Sequence, residues 1–199
     1  MDGRDEPGHD VEGADLSLKR GVRRSLPMTR RLARFALCAV LVLAAGGALA
    51  APSPQVGIAS FAELPTPLPY PYDEGANADA AVAAAKARAK RTHRLLLVDL
   101  GGNWCADCRI LAGTLDLPEV KAFVDAHYVV VAVDVGRIDR NLQIPAHYGV
   151  IGRLEGVPAL LVVDPRTDAL LDRGHTSALS DARYMTPQAL ADWLAQWTP

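Results

Sequence analysis

The stretch that most constrains how this chain can fold reads LLLVDLGGNWCADCRIL and spans residues 95–111. Its apolar run, residues 95–100, carries one charge, at Asp99, and two glycines follow it. Such a run suits a buried strand, and the glycines favour a turn. Two cysteines three positions apart, Cys105 and Cys108, come next. The stretch therefore predicts a buried strand, a tight turn and a helix that begins at the cysteine pair.

The spacing of the two cysteines has a chemical consequence. Side chains three residues apart at a helix start can reach each other and close a small disulfide ring. Cys105 would lie over the helix N-terminus, where unpaired backbone N–H groups and the helix dipole favour an anion. Its pKa would fall, and the thiolate that attacks disulfides would form. Cys108, one turn further in, is predicted to resolve the mixed disulfide.

A structural disulfide and half of a metal site are the alternative interpretations of the pair. A metal ion needs further ligands. The histidines that follow the signal segment belong to no ligand-spaced motif; they are His93, His127, His147 and His175. We therefore predict no metal site.

Three features resemble the thioredoxin superfamily and occur in its order. Residues 104–108, Trp-Cys-Ala-Asp-Cys, are similar to the family's Trp-Cys-x-x-Cys active site. Asp99 falls where the family carries a buried Asp, and Gly156-Val157-Pro158 is similar to its cis-proline loop. Residues 102–109 also resemble a Gly-Asn-Trp-Cys-x-Asp-Cys-Arg signature of secreted thioredoxin-like proteins. The resemblance implies an α/β thioredoxin fold over residues 75–199, a central mixed sheet of about four to five strands flanked by helices.

The resemblance also implies roles for residues around the cysteines. A buried carboxylate is costly unless it is paired or protonated, so its presence suggests a function. The resemblance implies that Asp99 moves a proton to or from Cys108. An Asp bonded to loop backbone at a strand end is the alternative. Trp104 would cover the disulfide and shield it from water, or simply pack. Val157 and Pro158 would form a cis-peptide loop that faces the first cysteine and pairs with an extended substrate.

The two residues between the cysteines, Ala106 and Asp107, stand where most thioredoxins have Gly-Pro. We expect them to tune the redox potential. The Asp107 charge should raise the pKa of Cys105 by like-charge repulsion and make the couple more reducing. Arg109 carries the opposite charge and is expected to cancel part of this effect. The alternative is that Asp107 is a helix first-turn acid that acts through the dipole alone.

The N-terminal quarter of the chain differs from the rest. Residues 1–27 are polar and Gly-rich, and are interpreted as a disordered or untranslated extension, with Met28 as the true start. Residues 28–50 have a basic start, an apolar middle and small residues at Ala48 and Ala50, which is typical of a secretory signal peptide. We expect cleavage near Ala50–Ala51 and a periplasmic or secreted protein. The alternative is a retained membrane anchor formed by residues 32–50.

The remaining chain is predicted to be a linker and one domain. Residues 51–74 contain six prolines and are expected to form an extended linker that packs loosely on residues 75–199. Helices are predicted over 77–93, 105–111, 118–127 and 186–197, with a short helical or irregular piece at 141–150. Strands are predicted over 95–100, 128–135, 157–163 and 169–173, the last two as a hairpin.

These patterns predict an exported thiol–disulfide oxidoreductase that reduces protein disulfides. The Cys105–Cys108 pair would be its redox group, without a dissociable cofactor. Protein thiols and disulfides are the expected substrates, and a membrane electron donor is a candidate partner. The net charge of −2 gives no reason to expect nucleic acid, and we expect a monomer. The alternatives are a thiol oxidant or disulfide isomerase, or a thioredoxin-fold binding module without turnover.

Export has a direct test. If the signal peptide is removed as predicted, N-terminal sequencing of the mature protein should begin at or near Ala51. A mature chain that still begins at Met1 or Met28 would contradict the prediction.

Overall fold

The computed structural model describes residues 51–199. The predicted extension, 1–27, and the predicted signal peptide, 28–50, lie outside the described residues. Within residues 51–199, none of the helices has the length and apolar character needed to span a bilayer.

A four-stranded mixed sheet forms the centre of the fold. Strand β1 (Leu95–Gly101) pairs in parallel with β2 (Tyr128–Asp134) and antiparallel with β3 (Ala159–Asp164). Strand β4 (Ala169–Leu170) extends the sheet beyond β3, which gives the order β2-β1-β3-β4. Because β1 is paired on both edges and covered on both faces, its sequence is an almost unbroken apolar run. The predicted α/β thioredoxin fold is confirmed.

Within residues 51–199, five α-helices surround the sheet. They are α1 (Ala78–Arg91), α2 (Ala106–Leu115), α3 (Pro118–His127), α4 (Gln143–His147) and α5 (Pro187–Ala195). The same range also contains two 3₁₀ helices in its connecting segments, Phe61–Glu63 and Ala182–Tyr184. Asn77 caps α1 and Thr186 caps α5, each by accepting a hydrogen bond from the backbone N–H three residues later. These caps confirm the predicted helix starts.

Three predicted strands differ from the structure in length or burial. The strand expected over 169–173 is only two residues long. Beyond it, the Val162 N–H donates to the Asp172 carboxylate at 3.0 Å rather than to backbone of a longer strand. Strand β3 begins at Ala159, after the cis-proline loop. Strand β2 lies at the sheet edge, so residues 130–132 are half-buried rather than buried. Helix α2 continues four residues beyond the predicted end.

The segment of residues 51–74, which we call the lead-in, is not loosely attached. Leu64 is buried and joins the core on the side of the sheet that α2, α3 and α5 cover. Its neighbour Leu68 packs at Gly113 of α2, where a Cβ would lie only 3.1 Å from the leucine side chain. The Val56 N–H donates to the Gln188 side chain on α5 at 2.9 Å. The expectation of loose packing is therefore wrong, because these apolar residues find a groove beside α2.

The packing of the lead-in can be tested at Leu64. Replacing this buried leucine by alanine should destabilise the chain by about 2 to 4 kcal/mol, since it removes buried methyl groups and leaves a cavity. Leu171→Ala is the matched control, because Leu171 is 40% exposed; we expect it to cost about 0.5 kcal/mol or less. Urea denaturation measures both. Equal losses for the two variants would mean that the lead-in contributes nothing to the core.

Candidate active site

The two cysteines lie at the start of α2, as predicted. Cys105 is the N-cap residue, and its Sγ accepts a hydrogen bond from the Cys108 N–H at 3.2 Å. Both are free thiols. Cys105 retains 6% of its surface, whereas Cys108 has none, so only the first can be reached by a substrate sulfur. Among residues 51–199, no three His, Cys, Asp or Glu side chains are grouped in a way that could hold a metal ion.

The environment separates the pKa values of the two thiols. Hydrogen bonds from the Cys108 thiol and backbone N–H lower the pKa of Cys105 to about 7, against the opposing effects of burial and of the Asp107 charge. The hydrogen bond between the two thiols, together with the burial of Cys108, raises the pKa of Cys108. One thiolate is therefore available near neutral pH, at Cys105, the cysteine that retains some accessible surface.

The loop before β3 completes the cleft beside Cys105. The Val157–Pro158 peptide bond is cis, which confirms that prediction. The Cys105 thiol donates to the Val157 carbonyl, with an Sγ···O distance of 3.3 Å. A cleft of about 450 Å³ opens here; it is lined by residues that include Trp104, Glu155, Gly156, Ser180 and Arg183. The first cysteine thus faces a shallow cleft bounded by backbone that an extended chain can contact.

Trp104 forms one wall of this cleft and is 45% exposed. Its indole N–H donates to the Gly136 carbonyl at 2.7 Å, and the Arg137 guanidinium lies 4.5 Å from the ring centroid. The loop after β2 therefore holds the indole beside the cysteine. Its shielding of a disulfide stays a prediction.

Asp107 is buried and paired, but not with the residue that the sequence suggested. The Arg183 Nε lies 3.0 Å from each carboxylate oxygen, its Nη2 also donates, and its backbone N–H donates at 2.9 Å. Burial alone would raise the pKa of Asp107, but the hydrogen bonds and charge of Arg183 outweigh it and lower that pKa. The predicted repulsion on Cys105 is present, and a guanidinium from the second 3₁₀ helix opposes it.

Arg109 has a different task from the predicted one. Its guanidinium donates to the carbonyls of Leu68 at 2.8 Å and Pro69 at 3.2 Å, and lies 3.8 Å from the centroid of the Tyr70 ring. The expectation that Arg109 compensates Asp107 is wrong. Its side chain extends to the lead-in, whereas Asp107 faces the 3₁₀ helix. Ala106, which we expected to tune the potential, is exposed at the cleft.

Asp99 lies in β1 and is buried, with 2% of its surface exposed. Its hydrogen-bond donor is the Tyr72 hydroxyl, 2.9 Å from each carboxylate oxygen, rather than loop backbone. Burial raises the pKa of Asp99 to about 7, although the Tyr72 hydrogen bond lowers it. Both protonation states are therefore populated near neutral pH. The proton transfer between Asp99 and Cys108 stays a prediction.

Sequence reasoning missed three residues at the site. Tyr72 lies in the proline-rich lead-in and Arg183 in an irregular segment, and neither position carries a pattern of its own. Asn103 is part of the recognised signature, and its side chain binds the lead-in backbone. Of the three, only Asn103 could have been found from the sequence, because it belongs to the signature over residues 102–109. That signature does not indicate what its side chain contacts.

A family model and one related solved structure agree with this fold. A family model described as thioredoxin-like matches residues 77–165, which include β1, β2, β3 and both cysteines. A disulphide isomerase from Xylella fastidiosa is 39% identical, over 65% of this chain and 97% of that chain, with a TM-score of 0.58. A Pseudomonas aeruginosa protein of unknown function is 23% identical, over 69% of this chain and 96% of that chain, with a TM-score of 0.35. No curated protein sequence matches.

The ion pair of Asp107 makes a prediction about Cys105. Arg183→Gln leaves the Asp107 charge uncompensated, so the pKa of Cys105 should rise by about 1. Asp107→Asn leaves the cation alone and should lower the pKa modestly, which makes the couple more oxidising. Combining both substitutions should bring the pKa back towards its original value. Thiolate absorbance, followed against pH, measures each.

Arg109→Gln is the comparison variant, because the sequence suggested Arg109 as the compensating charge. We expect a smaller change in the pKa of Cys105 from this substitution than from Arg183→Gln. An equal or larger change would assign the compensation to Arg109 instead.

Proposed function

Because this chain belongs to the thioredoxin-like family, we propose that it is an exported thiol–disulfide oxidoreductase that reduces protein disulfides through Cys105 and Cys108. The observation that carries the proposal is the placement of the two thiols at one helix start: Cys105 contacts the Val157 carbonyl at the cleft, whereas Cys108 is fully buried behind it. One thiol is reachable and readily ionised, and the other is buried and protonated. This is the division of labour that a nucleophile and a resolving thiol need.

The reaction begins at Cys105. The Cys105 thiolate attacks one sulfur of a substrate disulfide, a bond forms between the two sulfurs, and the other substrate sulfur leaves as a thiolate. Cys108 then loses its proton and attacks Cys105 Sγ. The bond to the substrate breaks, the second substrate sulfur leaves, and a Cys105–Cys108 disulfide remains. Two electrons have passed to the substrate, so a dithiol donor must reduce the pair before the next cycle.

The cleft supports a protein substrate. Val157 and Pro158 present backbone groups beside Cys105, and Trp104 supplies an exposed aromatic wall. Main-chain pairing with an extended segment gives affinity with little dependence on sequence. We therefore propose protein disulfides as substrates, a membrane dithiol protein as the electron donor, and a monomer that needs no dissociable cofactor.

Disulfide isomerisation is the second candidate activity. A relative described as a disulphide isomerase, 39% identical to this chain, favours it. Isomerisation uses the attack by Cys105 and returns the electrons to the same substrate, so it needs neither Cys108 nor an external donor. The two activities therefore make different demands on the second cysteine.

Cys108→Ser separates the candidates. For a reductase, this variant should accumulate mixed disulfides with substrate proteins and lose at least about a hundredfold of its dithiothreitol-driven insulin reduction, because the second attack is absent. Cys105→Ser should trap nothing. An isomerase should still refold scrambled ribonuclease as the Cys108→Ser variant.

The reduction potential gives an independent measurement. A reductant should lie near the value of thioredoxin, about −270 mV, whereas an isomerase or oxidant should lie between about −180 and −120 mV. If Cys108→Ser captures no partner and the wild-type chain reduces no disulfide, the fold serves a binding module and the proposal fails.

A further inference from the structure

A buried polar cluster joins the lead-in to the cysteines. Tyr72 is 3% exposed and Asp99 2%, and the tyrosine hydroxyl donates to both carboxylate oxygens at 2.9 Å. Gly101 leaves room for this contact. A Cβ there would overlap the Tyr72 hydroxyl and lie 2.8 Å from Cys108 Sγ. The hydroxyl, the carboxyl and the resolving thiol therefore share one small space beneath the active-site helix.

The chain holds Tyr72 in this space by several contacts. The Asn103 side chain accepts from the Tyr72 N–H at 3.2 Å and donates to the Tyr72 carbonyl at 2.7 Å, so it binds the backbone as a neighbouring strand would. The Arg109 guanidinium donates to the carbonyls of Leu68 and Pro69, which lie shortly before Tyr72 in the chain. Both anchoring residues belong to the stretch that contains the cysteines. Their contacts fix the tyrosine relative to α2.

We propose that Tyr72 is a positioning residue, whose hydroxyl holds the Asp99 carboxyl beneath Cys108 and stabilises its ionised form for proton transfer. The inference rests on the proposed thiol–disulfide exchange. A hydrogen bond that favours the charged form of a carboxyl opposes the effect of burial. Without it, a larger fraction of the buried Asp99 is protonated at neutral pH, so fewer molecules can accept a proton from Cys108.

The proton inventory of the second exchange step balances with these groups. The Cys108 S–H bond breaks and its proton moves to an Asp99 oxygen. The Cys108 thiolate attacks Cys105 Sγ, and the substrate sulfur leaves as a thiolate that takes a proton from water. Asp99 then returns its proton to solvent through a cavity of about 230 Å³, which Asp99 lines together with residues of the lead-in and α3.

Several titratable groups lie beside Asp99 or line the same cavity. Tyr72 of the lead-in, the N-cap residue Cys105 and Cys108 of α2 are the groups beside Asp99. Asp116, the C-cap of α2, and Lys121 and Asp125 of α3 line the cavity that Asp99 also lines. The residues paired with Asp99 in β2 and β3 are Ala132 and Leu160, which carry no charge. Lys121 pairs with Asp125 at 2.6 Å, and the Asp99 carboxyl accepts its hydrogen bond from the Tyr72 hydroxyl.

The test is Tyr72→Phe in the full chain, which removes one oxygen and keeps the ring. Reaction of the reduced chain with dithiobis(nitrobenzoate) releases a first chromophore when Cys105 attacks and a second when Cys108 resolves. If the pKa of Asp99 rises by about 1, its ionised fraction at pH 7 falls about fivefold, and the second phase should slow equally. The variant should approach the wild-type rate at higher pH. Carbon-13 NMR of the Asp99 carboxyl measures the pKa directly.

Tyr70→Phe is the matched control, since Tyr70 lies in the same segment but is 64% exposed. We expect it to change neither the pKa of Asp99 nor the second phase. In an Asp99→Asn chain, Tyr72→Phe should cause no further slowing, because the group through which it acts is gone. Site-specific 3-fluorotyrosine at position 72, a stronger donor that leaves the packing intact, should lower the pKa of Asp99.

The outcomes distinguish a positioning role from simple packing of the tyrosine ring. An unchanged carboxyl pKa in Tyr72→Phe, or a second phase slowed equally at every pH, would overturn the proposal, since the ring would then contribute by packing alone. A wild-type chain that reduces no disulfide would overturn the proposed function instead. In that case the carboxyl titration of the phenylalanine and fluorotyrosine variants still decides whether Tyr72 holds Asp99.

Discussion

The pairing of β1 on both of its edges is the constraint on which the rest of the structure depends. Parallel pairing with β2 and antiparallel pairing with β3 bury the whole strand and fix where it ends, at Gly101. Because β3 runs in the opposite direction, its start lies beside the end of β1. The turn with the cysteines and the loop with Pro158 therefore meet at one edge of the sheet, where Cys105 contacts Val157.

Two buried carboxyl groups near the cysteines show how a partner decides what a charge can do. The Asp99 carboxylate accepts a hydrogen bond from the neutral Tyr72 hydroxyl, and burial raises the pKa of Asp99 to about 7. The Asp107 carboxylate accepts hydrogen bonds from the Arg183 guanidinium, and the pKa of Asp107 is lowered despite burial. Asp99 can therefore exchange a proton near neutral pH. Asp107 remains a permanent charge whose influence on Cys105 depends on its cation.

The residues around the cysteine pair bind three separate parts of the chain. Asn103 and Arg109 hold the lead-in, Asp107 holds the second 3₁₀ helix, and Trp104 is held by the loop after β2. Each polar contact joins segments that have no backbone pairing with α2. Residues 103–109 therefore bind the irregular segments, and two of them, Asn103 and Arg109, hold the lead-in from which Tyr72 contacts Asp99.

The sequence by itself determined the local elements. The apolar run of β1, the helix starts near positions 77 and 186, and the cysteine spacing each follow from interactions between residues that are close in the chain. The tertiary structure alone decided the partners of the buried charges. Arg183 lies 76 positions from Asp107, and Tyr72 lies 27 positions before Asp99 in a segment expected to be a loose linker. A buried carboxylate requires a donor, but which donor reaches it depends on how distant segments pack, and no local pattern records that.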